Sequence, residues 1–203
     1  MLNYWWVTRS KRRLDSVPEV LAAFAELSAD DLWSGQRDTQ LEYEEALEKA
    51  GLKRKGLRRD QSGSGARTYK SWLESLGLIF EQTGTRHIML TYAGEAVMNG
   101  ENPVPILKNQ VLKYQFPSAF SVSRGVNVSR RFKIHPFIFL LRLLMDSRIG
   151  CLEEEEIGRV CAVYAENESK KRVRDKRQSR KPDHTGKPSG PLRRCTRLPV
   201  YAG

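Results

Sequence analysis

Seven cations crowd one short stretch of this chain: Lys53, Arg54, Lys55, Arg58, Arg59, Arg67 and Lys70 stand against Asp60 alone, a local charge of +6. Cations at that density attract polyanions, and neutralising phosphates releases condensed counterions, so the stretch is a candidate anchor for a nucleic-acid duplex. Two kinds of contact are expected within it. Arg67 and Lys70 fall on the polar side of a predicted helix, within reach of guanine edges, while the loop cations Lys53, Arg54, Lys55, Arg58 and Arg59 suit phosphate oxygens. Arg86, in a predicted hairpin, joins them as a DNA contact. The bland alternative is a solvated face on a protein-binding module, and the cluster Arg9, Lys11, Arg12 and Arg13 is open to the same two readings.

Other chemistries find little support. Cys151, Cys161 and Cys195 lie too far apart for a C-x-x-C clip, and His87, His135 and His184 are equally scattered, so no zinc-ligand spacing is present and buried thiols are the expectation. We assign no catalytic residue and no cofactor. Trp5, Trp6 and Trp33 are read as core anchors rather than as platforms for stacked bases.

The elements that must position the cations follow from periodicity. Ser16 is the expected cap of a predicted helix over 17–27 with Val20, Leu21, Phe24 and Leu27 on one stripe; a second helix spans about 39–50 and stops at Gly51. The basic, glycine-rich loop 53–65 leads into a third helix over 66–76, with Tyr69, Trp72, Leu73 and Leu76 inward and Arg67, Lys70, Ser71 and Glu74 outward. The period then shortens: Leu78 to Phe80 and Arg86 to Leu90 flank Thr83-Gly84-Thr85 as a β-hairpin. Thr91 caps a helix through Met98, and Pro103 opens another carrying Leu107, Val111 and Leu112.

Helix, helix, helix, hairpin, helix is the order of a winged helix-turn-helix, whose third helix enters the major groove while the hairpin wing reaches the backbone. The expected fold is mainly α with small β-hairpins: a winged-helix DNA-recognition domain over 1–116, a linker over 117–131, and a partial second winged-helix-like helical subdomain over 132–166. The latter holds helices over 137–145 and 153–165 but no third helix or wing. Residues 169–203 form an expected disordered basic tail, with 12 Lys and Arg against Asp175 and Asp183. The tail accounts for +10 of the net +11, so the body is nearly neutral.

In a chain of 203 residues the longest apolar run, Pro136 to Leu141, meets Arg142 at once, far short of the roughly 20 residues that span a bilayer. Residues 1–13 lack an apolar signal-peptide core. A cytoplasmic protein with no membrane partner is expected.

Four stretches carry a family resemblance: Leu90-Thr91-x-x-Gly94-x-x-Val97-Met98-x-Gly100-Glu101-x-Pro103; Leu107-Lys108-x-Gln110-x-Leu112-Lys113-Tyr114-Gln115-Phe116-Pro117-Ser118; Lys133-Ile134-x-Pro136-Phe137; and Leu152-x-x-Glu155-Glu156-Ile157. In order and spacing they resemble the N-terminal half of the AlwI family of type II restriction endonucleases, which includes type IIS and nicking enzymes. The resemblance runs from Tyr4-Trp5-Trp6 to about Tyr164. It implies tandem winged-helix DNA recognition in a prokaryotic restriction-modification setting, a methyltransferase acting on the same site, and a separate Mg²⁺-dependent PD-(D/E)xK nuclease half. The chain departs from that pattern after Asn167: its D/E-x-K is Glu168-Ser169-Lys170 and its Pro-Asp is Pro182-Asp183, in the wrong order and without apolar strands to hold them. The expectation is therefore a truncated or split recognition part, with Mg²⁺ belonging to the missing or separately encoded nuclease half. The alternative is a small winged-helix transcription regulator.

Overall fold

The computed structural model of the chain describes residues 3–7, 13–28, 32–55, 61–118, 121, 125–146, 152 and 154–166. Arg9, Lys11, Arg12, Arg58, Arg59, Cys151, Cys195 and the expected tail lie outside the described residues. The architecture is mainly helical with one small two-stranded antiparallel sheet.

A 3₁₀ turn, Leu14–Ser16, runs into α1 (Val17–Ser28), and Ser16, expected as a cap, lies in that turn with its hydroxyl donating to the Arg13 carbonyl. Of the expected stripe on α1, Val20, Leu21 and Phe24 are buried and Leu27 packs partly buried against the same core, which Val17 joins. Next comes α2 (Arg37–Lys49), which begins two residues before the expected start; Gly51, with φ near 70°, follows its end as expected. α3 (Ser64–Ser75) likewise starts before Ala66. Gly63 supplies the left-handed turn into it (φ 70°), and a Cβ there would stand 2.9 Å from the Gln40 Cβ. At Gly65 a Cβ would stand 2.6 Å from Glu44 Oε1. The glycine-rich loop thus lets α3 approach α2 closely.

β1 (Ile79–Glu81) and β2 (Ile88–Leu90) pair in antiparallel register, Ile79 with Leu90 and Glu81 with Ile88. A separate bridge joins Leu32, between α1 and α2, to His87 of the hairpin. The Thr91 hydroxyl donates to the Gly77 carbonyl (2.7 Å) and accepts from the Gly94 amide (3.1 Å), so the expected cap of α4 (Tyr92–Met98) also ties this helix to the end of α3. Gly94 explains its place in the quoted motif: a Cβ there would lie 2.1 Å from the Leu78 carbonyl oxygen. α5 (Pro103–Lys113) starts on Pro103, with the Asn102 side chain accepting from the Val104 amide. One core spans this unit. Phe24, Trp33 and Tyr43 meet ring to ring within 5.2–6.0 Å at its centre.

A second core gathers Trp5, Phe116, Phe132, Ile134, Phe139, Leu143, Cys161, Ala162 and Ala165. Its helices are α6 (Pro136–Leu144) and a final segment in which a π-helical stretch, Ile157–Cys161, separates the α-helical turns Glu154–Glu156 and Ala162–Tyr164, where a single α-helix was expected. Trp5 joins the N-terminal segment to two carbonyls of this final segment, one of which, that of Cys161, also accepts from the Ala165 amide. Its indole donates to the Cys161 carbonyl (3.1 Å) and its amide to the Ala162 carbonyl (2.9 Å). Trp5 was assigned by sequence to the 1–116 domain, yet it packs in this second core. Trp33 and Trp5 are buried, and Trp6 packs on Phe116. No described helix is long and apolar enough to cross a membrane.

Candidate nucleic-acid interface

The loop after α2 starts by folding back. Both the Leu52 and Lys53 amides donate to the Leu47 carbonyl, which turns the Lys53 side chain onto α2. Its ammonium lies 2.7 Å from Glu44 and 2.6 Å from Glu48. Burial alone would lower the Lys53 pKa, but hydrogen bonds and charge from the two carboxylates outweigh it and hold the pKa above the ordinary lysine value. Lys53 is thus occupied by protein carboxylates instead of standing free for phosphate. Arg54 and Lys55 are exposed, as a phosphate contact requires.

The polar side of α3 is more closed than the helical wheel implies. Lys70, expected outward with a view of base edges, is 7% exposed. Its ammonium sits 2.8 Å from Glu74 Oε2 and 3.9 Å from Glu81 Oε2. Ser71, also expected outward, is buried and donates to the Arg67 carbonyl. The reason is tertiary: the hairpin and the Trp33-Ser34-Gly35 turn come over this face. The expectation that Lys70 projects toward bases is therefore corrected.

Arg67 is half-buried. Its Nη1 donates to Gln40 Oε1 (2.9 Å) and to the Ser62 carbonyl. Arg86, exposed at the hairpin with φ 62°, places Nε 2.9 Å from Glu81 Oε1. Arg67, Lys70 and Arg86 converge with Glu74 and Glu81 around one polar cleft of about 240 Å³, which Trp33, Ser34, Gly35, Gln40 and Ser71 also line.

Sequence reasoning missed Gln40 and Glu81. Gln40 is buried, spans from the Trp33 carbonyl to Arg67, and fixes the guanidinium from 27 positions away. Nothing in a glutamine on a helix announces that role. The Lys70–Glu74 pair was legible, since residues four apart on a helix are neighbours.

Among the described residues no three His, Cys, Asp or Glu side chains gather as a metal-holding group. Glu168, Lys170, Pro182 and Asp183 lie outside the described residues. Compared with known proteins, the chain matches no family model and no curated sequence.

Proposed function

We propose that this chain binds double-stranded DNA as a winged helix-turn-helix module, the sequence-recognition part of a type II restriction endonuclease of AlwI type. The observation that carries the reading is the assembly of α1, α2 and α3 with a hairpin that is tied to the segment between α1 and α2 through the Leu32–His87 bridge. In a winged helix a short segment before the second helix joins the wing in this way, and the third helix presents its first turns to the major groove. Ser64 is exposed and Thr68 half-exposed on those turns of α3. Arg54 and Lys55 in the preceding loop, and Arg86 in the wing, supply the backbone contacts that set register. The AlwI relationship rests on the four stretches quoted above, and this reading assigns cleavage to a nuclease half other than residues 3–166.

The test is selection of bound duplexes from a random pool at low salt, followed by incubation of the selected duplex with Mg²⁺. One enriched sequence, held without being cut, is the expected result. Negligible retention of any duplex at low salt overturns DNA binding. Mg²⁺-dependent strand cleavage overturns the division between recognition and cutting, and a dimer on a palindromic site favours the transcription regulator.

A further inference from the structure

We infer that the cleft between α3, the Trp33-Ser34-Gly35 turn and the hairpin is a seat for one phosphodiester of the DNA backbone, with Arg67 and Arg86 as its ligands and Lys70 as the buried charge behind them. The inference rests on the duplex-binding reading and goes further in saying what this face holds.

Shape comes first. Base edges lie on the floor of a groove roughly 8.5 Å deep, so a side chain that reads them has to project from the protein. Lys70 does not project: its side chain is 9% exposed. Phosphates are the outermost groups of a duplex and are what a recess can receive. A volume of about 240 Å³ is several times the roughly 30 Å³ that one water takes in the liquid, enough for a phosphate and its ester oxygens.

Charge points the same way. Three cations face two carboxylates around the cleft. Lys70 is matched by Glu74, and Arg86 by Glu81. Arg67 is the surplus: its Nη1 is held by the neutral oxygens of Gln40 and Ser62. A guanidinium carries five N–H donors, so those on Nη2 and Nε are left for a ligand. One unmatched positive charge suits a phosphodiester, which carries one negative charge. The Gln40 and Ser62 contacts orient the guanidinium before any ligand arrives, which lowers the ordering cost of the contact. Arg86, exposed at the mouth, turns from Glu81 to the incoming oxygen.

Such a contact positions the duplex without reading it. The experiment titrates the full chain with the selected duplex and with a scrambled one across a salt series, for the native protein, Arg67→Gln and Glu81→Gln. It then repeats the titration with duplexes carrying a neutral methylphosphonate at each backbone position in turn. We expect Arg67→Gln to weaken both duplexes about tenfold, to reduce the salt slope by about one, and to leave base preference unchanged. Removing the competing carboxylate in Glu81→Gln is expected to tighten both several-fold, a gain that a merely misfolded variant cannot give. One methylphosphonate position should weaken the native protein and have no effect on Arg67→Gln.

If Arg67→Gln instead relaxes preference at a single base pair with an unchanged slope, Arg67 reads a base and the phosphate seat is wrong. If Arg67→Gln and Glu81→Gln both bind as the native protein does, the cleft holds no phosphate while DNA binding itself stands. If the native protein binds neither duplex, the underlying reading fails with it.

Discussion

Every buried residue of the first core lies between Val17 and Leu107, whereas the second is closed by Trp5 against the Cys161 carbonyl, 156 positions away. The helix–hairpin unit is assembled from neighbours in the chain. The unit behind it borrows its N-terminal segment, residues 3–7, from the far side of the first unit. Closing a longer loop costs more entropy, though only slowly with length, so the greater difference is one of dependence. The first core shares its burial among some eighteen side chains, and the second, half that size, leans on one tryptophan, whose indole fills space and donates to the Cys161 carbonyl while its amide donates to that of Ala162. Continuity of the chain and continuity of the core do not coincide here.

Three experiments break or sharpen that contrast. The largest effect is expected from Trp5→Ala, which removes a buried aromatic and its indole hydrogen bond while keeping the backbone one, at a cost of about 3–5 kcal/mol. Hydrogen exchange followed residue by residue should show protection lost over 126–146 and 154–166 and kept from Val17 to Leu107. Equal loss in both stretches would show a single cooperative unit. Next is Gly94→Ala, which drives a methyl to 2.1 Å from the Leu78 carbonyl oxygen. A loss of about 3 kcal/mol is expected, confined to the helix–hairpin unit, and a melting temperature within a degree of the native value would show that the turn relaxes freely.

The smallest effect concerns alkaline pH and again only the first unit. Burial, aided by the nearby Tyr69, pushes the Tyr43 phenol well above its ordinary range, and the carboxylates of Glu44 and Glu48 outweigh burial to raise Lys53. Both folded values exceed the unfolded ones near 10, so the stabilisation is complete below that pH and is lost as pH climbs through and beyond it. Melting curves between pH 8 and 11.5 should show the helix–hairpin unit weakening above about pH 10. Tyr43→Phe should flatten that limb, and an unchanged limb would mean that other groups set it.

The fold was legible where one element carried its own signal. The α1 stripe, the Gly51 stop, the hairpin, the Thr91 cap and the Pro103 start are local features, and each stands where its residues put it. Misjudged were features that depend on distant partners. Gly63 and Gly65 were read only as part of a glycine-rich loop, yet they are the close approach of α3 to Gln40 and Glu44. Trp5 looked like an anchor for its own neighbourhood, because no pattern connects it to residue 161. The candidate site suffered most, since a helical wheel assigns polar residues to water by default. Lys70 and Ser71 obey the wheel but not the assignment: the hairpin and the turn at Trp33 cover what periodicity leaves open. Lys53 was counted as a free charge although its two carboxylate partners sit one turn apart on the preceding helix.

The pairing of residue 5 with residues 161 and 162 also imposes an order in time. A ribosome adding roughly 5–20 residues per second takes about 8–31 s after Trp5 to deliver the carbonyls that receive it. Once Leu107 has been made the helix–hairpin unit has everything it needs to close, while residues 3–7, rich in aromatic surface, still lack a berth. Among the described residues those made first are thus the last to find their place, and any synthesis halted before the final helix leaves them adrift.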